Sequence, residues 1–112
     1  MGKATYDDDL RKVADLMILT RPDVSPGKMF GYPAYYAKGK MFACVYENGL
    51  GIKVPADRAR DLLVRPDIDH FVPMGRRVMK EWIMIRPEKP DNLMDDAGIL
   101  VESVEFVLSL VK

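Results

Sequence analysis

Very little in this sequence is equipped for covalent or metal chemistry: its 112 residues hold one cysteine, one histidine and one tryptophan. Cys44 has no second thiol with which to form an internal disulfide or to share a metal at ligand spacing, which suits a reducing compartment. Mid-strand in an apolar context, its thiol is expected to be buried, inert packing. His70 has no partner of its own type for a metal, and Asp67 and Asp69 stand too near it in sequence to imply any spatial arrangement. No apolar run reaches the roughly 18 residues that a membrane span needs, and Met1 to Asp9 is polar and acidic where a signal peptide carries basic and then apolar residues. A cytoplasmic, noncatalytic domain without cofactor or metal is the expectation. Gly49-Leu50-Gly51 lacks the helix start that a phosphate-cradling loop requires. Nor is there an excess of one charge, since seventeen basic residues face seventeen acidic ones, which argues against a strongly basic nucleic-acid binder.

What is present describes one domain spanning residues 1–112. The length allows one hydrophobic core and no more, and neither a linker nor a repeat divides it. Charge is unevenly distributed. Residues 38–86 carry ten basic and six acidic side chains, whereas residues 87–112 carry two basic and six acidic. The middle of the chain is either a basic binding face or a solvated sheet edge.

Leu10, Val13, Ala14 and Met17 recur at helical spacing and predict a helix over Asp7 to Leu19, with Asp7, Asp8 and Asp9 at its positive end. Pro22, Pro26 and Gly27 then read as a loop. Three strands are expected next, Lys28 to Phe30 with Ala34 to Lys38, Lys40 to Tyr46, and Leu50 to Val54, reversing at Lys38-Gly39-Lys40 and Asn48-Gly49. A second helix follows from Pro55 to Val64, then an extended piece at His70 to Val72, a Pro73-Met74-Gly75 turn and a strand from Val78 to Ile85. The last helix, Asp91 to Val111, places Leu93, Ala97, Leu100, Val101, Val104, Val107, Leu108 and Val111 on one stripe. The order α-βββ-α-ββ-α implies an α+β fold with an antiparallel sheet packed by helices.

That sheet reads as apolar on both faces. Alternation puts Met41, Ala43 and Val45 on one side and Phe42, Cys44 and Tyr46 on the other. Either helices cover both sides or a partner covers one. Ile99, Phe106 and Leu110 widen the last helix's apolar stripe, so a homodimer with two-fold symmetry is a further expectation, against a monomer that buries everything.

Lys28-Met29-Phe30-Gly31, continuing through Tyr35 to Gly39-Lys40-Met41-Phe42-Ala43, resembles the opening motif of the TfoX N-terminal domain family. Ile52-Lys53-Val54, Pro73-Met74-Gly75 and Met79-Lys80-Glu81-Trp82 follow in that family's order, so the resemblance covers residues 28–85. It implies a fold akin to the YjbR-like and secretion-chaperone-like folds. It also implies a regulatory module that occurs alone or joined to a C-terminal domain in the TfoX/Sxy competence regulators, with this chain, ending at Lys112, the stand-alone form.

Lys53, Arg76, Arg77, Lys80 and Trp82 are the candidate contact residues for nucleic acid or a protein partner. If the sides bearing Lys53 and Trp82 coincide, basic groups surround an indole, as in single-strand binders. The plainer reading has Trp82 packed in the core or an interface and the lysines snorkelling at its rim.

Overall fold

Helix α1 runs Asp8–Ile18 and starts where the Asp7 carboxylate accepts a hydrogen bond from the Leu10 amide at 3.1 Å, which supplies a partner for one of the helix's unpaired first-turn donors. Its apolar stripe, Leu10, Val13, Ala14 and Ile18, is buried against the sheet. The computed structural model describes residues 5–73 and 77–111. Two further helices, α2 (Ala56–Leu62) and α3 (Ala97–Leu110), and a 3-10 helix (Pro90–Asp96) accompany a six-stranded antiparallel sheet of β1 (Val24–Met29), β2 (Tyr32–Ala37), β3 (Lys40–Tyr46), β4 (Gly49–Lys53), β5 (Ile68–His70) and β6 (Trp82–Ile85). The strand order is β1-β2-β3-β4-β6-β5. The α+β class and the antiparallel sheet are as expected; the strand count is not.

Four strands, rather than three, precede α2. The segment read as one strand with a preceding loop is a hairpin that reverses at Phe30 and Gly31, both at positive φ (49° and 87°). Pro26 is tolerated in β1 because β1 is the sheet edge, where one row of amides has no strand to bond. The Lys38-Gly39 reversal is found, with φ of 49° and 80°. The next turn sits one residue earlier than expected, at Glu47 (φ 53°) and Asn48, while Gly49 pairs with Tyr46 inside β4. A Cβ on Gly49 would lie 2.6 Å from the Ile85 carbonyl oxygen, so close backbone approach, rather than turn geometry, demands glycine there.

One face of the sheet carries the helices. Ala43, Val45, Leu50, Ile52, Ile83 and Ile85 point toward α1, α2, α3 and the 3-10 helix and form the larger core cluster. Tyr35 reaches from this face to α1, its hydroxyl donating to Asp15 Oδ1 at 2.6 Å. Burial, and secondarily this bond, raise the Tyr35 phenol above its ordinary range.

Strict alternation fails in β3. Tyr35 pairs with Ala43 but Tyr36 pairs with Met41, which leaves Phe42 as an extra residue in a bulge. Phe42 therefore joins Ala43 and Val45 on the helical side, and Met41 joins Cys44 and Tyr46 on the other.

Among the described residues no helix lies on the opposite face, which is closed from within the chain. Phe71, just past β5, folds its ring over Gly51, and Tyr32, Ala34, Cys44, Tyr46, Trp82 and Met84 are buried with it. Rings stack in sequence, Tyr32 to Tyr46 at 4.5 Å, Tyr46 to Phe71 at 5.6 Å edge-on, and Phe71 to Trp82 at 5.4 Å. The glycines of Gly49-Leu50-Gly51 thus serve packing: they clear space for Met84 and Phe71.

The C-terminal helix also departs from its expected form. Residues Pro90–Asp96 wind as a 3-10 helix, and α3 begins only at Ala97. Asp96, in position to cap α3, makes no capping bond because its carboxylate is held by Arg65. Ile99, Leu100, Ser103, Val104 and Val107 face inward, while Val101 and Ala97, expected on the stripe, face out. Ser103 decides the phase. Its small side chain lets α3 approach β3 closely, and its hydroxyl donates to the Phe42 carbonyl at 3.3 Å.

A Cβ added at Gly98 would meet nothing within 4 Å. Gly98→Ala is accordingly expected to stabilise the fold by up to about 1 kcal/mol, through helix propensity and a less flexible unfolded chain. Chemical denaturation checks it through a raised midpoint at unchanged slope.

Candidate functional site

Lys53 ends β4 and Trp82 opens β6, and the two are direct antiparallel partners. Alternation sends Leu50 and Ile52 to the helical core and Lys53 to the opposite side, where the indole also lies. The Lys53 ammonium stands 5.7 Å from the indole centroid, within cation-π range. A cleft of about 580 Å³ opens over this pair, lined also by Arg77, Met79, Lys80 and Glu81.

The local chain path explains how these groups meet. The expected strand from Val78 is paired as strand only over Trp82–Ile85. Before it the backbone turns, with the Met79 amide donating to the Phe71 carbonyl and the Trp82 amide to the Met79 carbonyl, both at 3.2 Å. Lys80 therefore sits exposed on a turn and shares no side with Trp82 by alternation. The turn is fixed to the sheet where the Val54 amide donates to the Glu81 carbonyl at 3.0 Å.

Two features limit what this surface offers. Trp82 is only 6% exposed, so its ring face is taken by Phe71 and Lys53, and a base has no face on which to stack. Lys53 is paired, its ammonium donating to Glu81 Oε1 at 3.3 Å. Arg77 and Lys80 are exposed, and among the described residues neither has a carboxylate within 4.0 Å. Arg76, and Met74-Gly75 of the expected turn, lie outside the described residues.

Glu81 and Met79 were not among the candidates from sequence. Glu81 was legible only as the neighbour of Trp82, and its pairing with a lysine 28 residues away is a tertiary fact. Behind the cleft a second recess of about 300 Å³ runs between α2 and the 78–80 turn, with Ala59, Leu63, Met79 and Trp82 along it. Both openings have mainly apolar walls and both carry basic side chains, Lys53, Arg77 and Lys80 on the first and Arg60, His70 and Lys80 on the second.

Of the other chemistry-bearing residues, Cys44 stands apart and His70 lies on the wall of the second recess. Cys44 is fully buried at the centre of β3, and burial pushes its thiol up to about 12, which leaves almost no thiolate near neutrality. His70 is exposed on the edge strand β5, where its backbone amide is bonded by Asp69. Among the described residues no three His, Cys, Asp or Glu side chains are grouped to hold a metal ion, and no helix is long and apolar enough to cross a membrane. No protein-family model, curated protein or solved structure matches this chain.

On the helical side an apolar groove of about 280 Å³ lies between α1, the 3-10 helix and α3, with Ile18, Phe42, Leu100 and Val104 within it. Met94 (50% exposed) and Val101 (43%) stand on its rim, and Leu16 (68%) projects from α1 beside Met17. Leu16 carried a sequence signal: Leu16, Met17, Ile18 and Leu19 are four consecutive apolar residues, more than one helix stripe can bury.

Proposed function

We propose that this chain is a noncatalytic binding module of the kind its resemblance to the TfoX N-terminal domain implies, with the related YjbR-like fold, and that it acts through protein contact as a two-fold dimer. The carrying observation is the exposed apolar surface of Met94 and Val101 on one groove, with Leu16 exposed on α1, the helix that forms one of its walls. Leaving such side chains in water is unfavourable by about 25 cal/mol per Å², and clustered exposure of this kind marks interfaces. The second copy is the favoured occupant because the surface is self-complementary. Leu16 on α1 is an exposed apolar knob, and the groove that α1 helps to form is of matching apolar character. A two-fold axis sets each knob against the other copy's groove.

Light scattering at high micromolar concentration is expected to give twice the chain mass, and Val101→Asp to weaken the dimer more than about tenfold by placing a charge in its apolar centre. A strict monomer at that concentration removes the reading.

A second reading, direct nucleic-acid binding through Lys53, Arg76, Arg77, Lys80 and Trp82, draws on the exposed Arg77 and Lys80 beside the cleft. It is weakened by the buried indole and the Lys53 to Glu81 pair. Retention of DNA or RNA in a mobility-shift assay at low salt, lost steeply as salt rises, would support it. Absence of retention at low salt eliminates it.

A further inference from the structure

Independently of any contact on the helical side, the cleft over Trp82 has the composition of a small-molecule site. Its volume of about 580 Å³ falls in the range of ligand pockets, roughly 300–1,000 Å³. Three cations line it, Lys53, Arg77 and Lys80, against one carboxylate, Glu81. The adjoining recess of about 300 Å³ continues along Ala59, Leu63, Met79 and Trp82, with Arg60, His70 and Lys80 also on its wall. A ligand that fits both openings is an anion with an apolar body, since basic side chains and apolar walls occur together in each. The sign of the charge follows from the cations, and a carboxylate already occupies the key position: Glu81 Oε1 lies 3.3 Å from the Lys53 ammonium. That pair is unequal. The Lys53 side chain is 21% exposed and held against the indole, whereas Glu81 is 46% exposed and able to swing into water.

We propose that this cleft binds a small organic anion with an apolar body, and that Glu81 occupies the anion's position on Lys53 until the ligand displaces it. The apolar body enters the recess between α2 and the 78–80 turn, and Arg77 and Lys80 screen the displaced carboxylate. An exposed ion pair such as Lys53 to Glu81 contributes little to stability, so exchanging one carboxylate for another costs little. The ligand's affinity then comes from burying its apolar part.

Trp82 is the only tryptophan, so emission from a single residue reports on the wall of this cleft. Titration with 3-phenylpropionate, paralleled by calorimetry, is expected to give a saturable change, while the neutral 3-phenylpropionamide and acetate give none below roughly 10 mM. Lys53→Met is expected to weaken binding about tenfold through loss of the charge-assisted bond. Glu81→Gln is expected to tighten it about fivefold, because the internal competitor is gone. A merely structural lysine-glutamate pair predicts no gain in the second variant. Glu81 is half exposed, so that variant also carries the test should Lys53→Met fail to fold. The proposal is overturned by the absence of saturation by either method, by equal binding of the amide, or by weaker binding in Glu81→Gln. Displacement of 3-phenylpropionate by a single-stranded oligonucleotide with steep salt dependence would assign the cleft to nucleic acid instead, and would equally overturn it.

Discussion

Phe71→Ala is expected to lower stability by about 3–4 kcal/mol, the usual cost of truncating a buried phenylalanine, and to open the non-helical face of the sheet. Phe71 is the residue that closes this face. It is fully buried, contacts the rings of Tyr46 and Trp82, and lies over Gly51. Two single-copy residues report the loss. Trp82 emission should shift to the red as water reaches the indole, and Cys44, paired with Gly51 across β3 and β4, should react faster with a thiol reagent than it does behind the ring. Gly51→Ala supplies the internal control. Its Cβ would come within 3.0 Å of the Phe71 ring, which should cost on the order of 1 kcal/mol of overpacking. In the Phe71→Ala background the ring is absent, and the same alanine should become neutral or stabilising by roughly 0.5 kcal/mol. Denaturation of all four proteins measures this coupling. Additive effects would mean that Phe71 and Gly51 do not meet as described.

The second large effect is expected at Arg65, which joins two distant parts of the chain. Its guanidinium donates to Asp67 through Nε at 3.1 Å and Nη2 at 2.7 Å, and to Asp96 through Nη1 at 2.7 Å and Nη2 at 3.2 Å. Two bidentate pairs on one planar group fix the loop after α2 against the start of α3. Asp96 has a side chain only 9% exposed, so removing Arg65 leaves a nearly buried carboxylate without its partner. For a fully buried pair the loss is about 3–5 kcal/mol. The guanidinium is about one-third exposed, so Arg65→Met should cost less, about 2 kcal/mol once solvent screening is allowed for. Arg65→Lys should recover little, because one ammonium cannot make both forked contacts.

The Arg65 contribution has a defined pH window. Hydrogen bonds from Arg65 lower the Asp67 carboxyl below its ordinary 3.8. A depressed folded value means the pairing is fully felt above about pH 4 and is lost as pH falls through that lower value. The stability gap between the native protein and Arg65→Met should therefore be constant from neutrality down to about pH 4 and narrow below it. A gap that stayed constant into strong acid would show that Arg65 acts through packing alone.

Local signals were legible where one residue type had one physical consequence. Asp7 before an apolar stripe predicted α1 to within a residue at each end, and Lys38-Gly39 predicted its reversal. Alternation placed Lys53 opposite Leu50 and Ile52, and Trp82 opposite Ile83, as found. The Phe30-Gly31 reversal was not legible, because phenylalanine rarely adopts positive φ and nothing in its chemistry announces it. The phase of α3 was hidden by abundance. With apolar side chains on most of its surface, several stripes fitted, and Ser103, a polar residue no hydrophobic pattern would turn inward, set the true one.

Composition and short-range pattern by themselves determined the α+β class, the Lys38-Gly39 hairpin and the first helix, because each rests on the backbone geometry of neighbouring residues, whereas the β4–β6 pairing decided that Lys53 and Trp82 share a side. Only the tertiary structure decided how the second sheet face is closed, that Glu81 neutralises Lys53, and that Arg65 holds Asp96 from 31 residues away. Those contacts join residues far apart in the chain, and their partners are selected by the packing of whole elements, which no local pattern encodes.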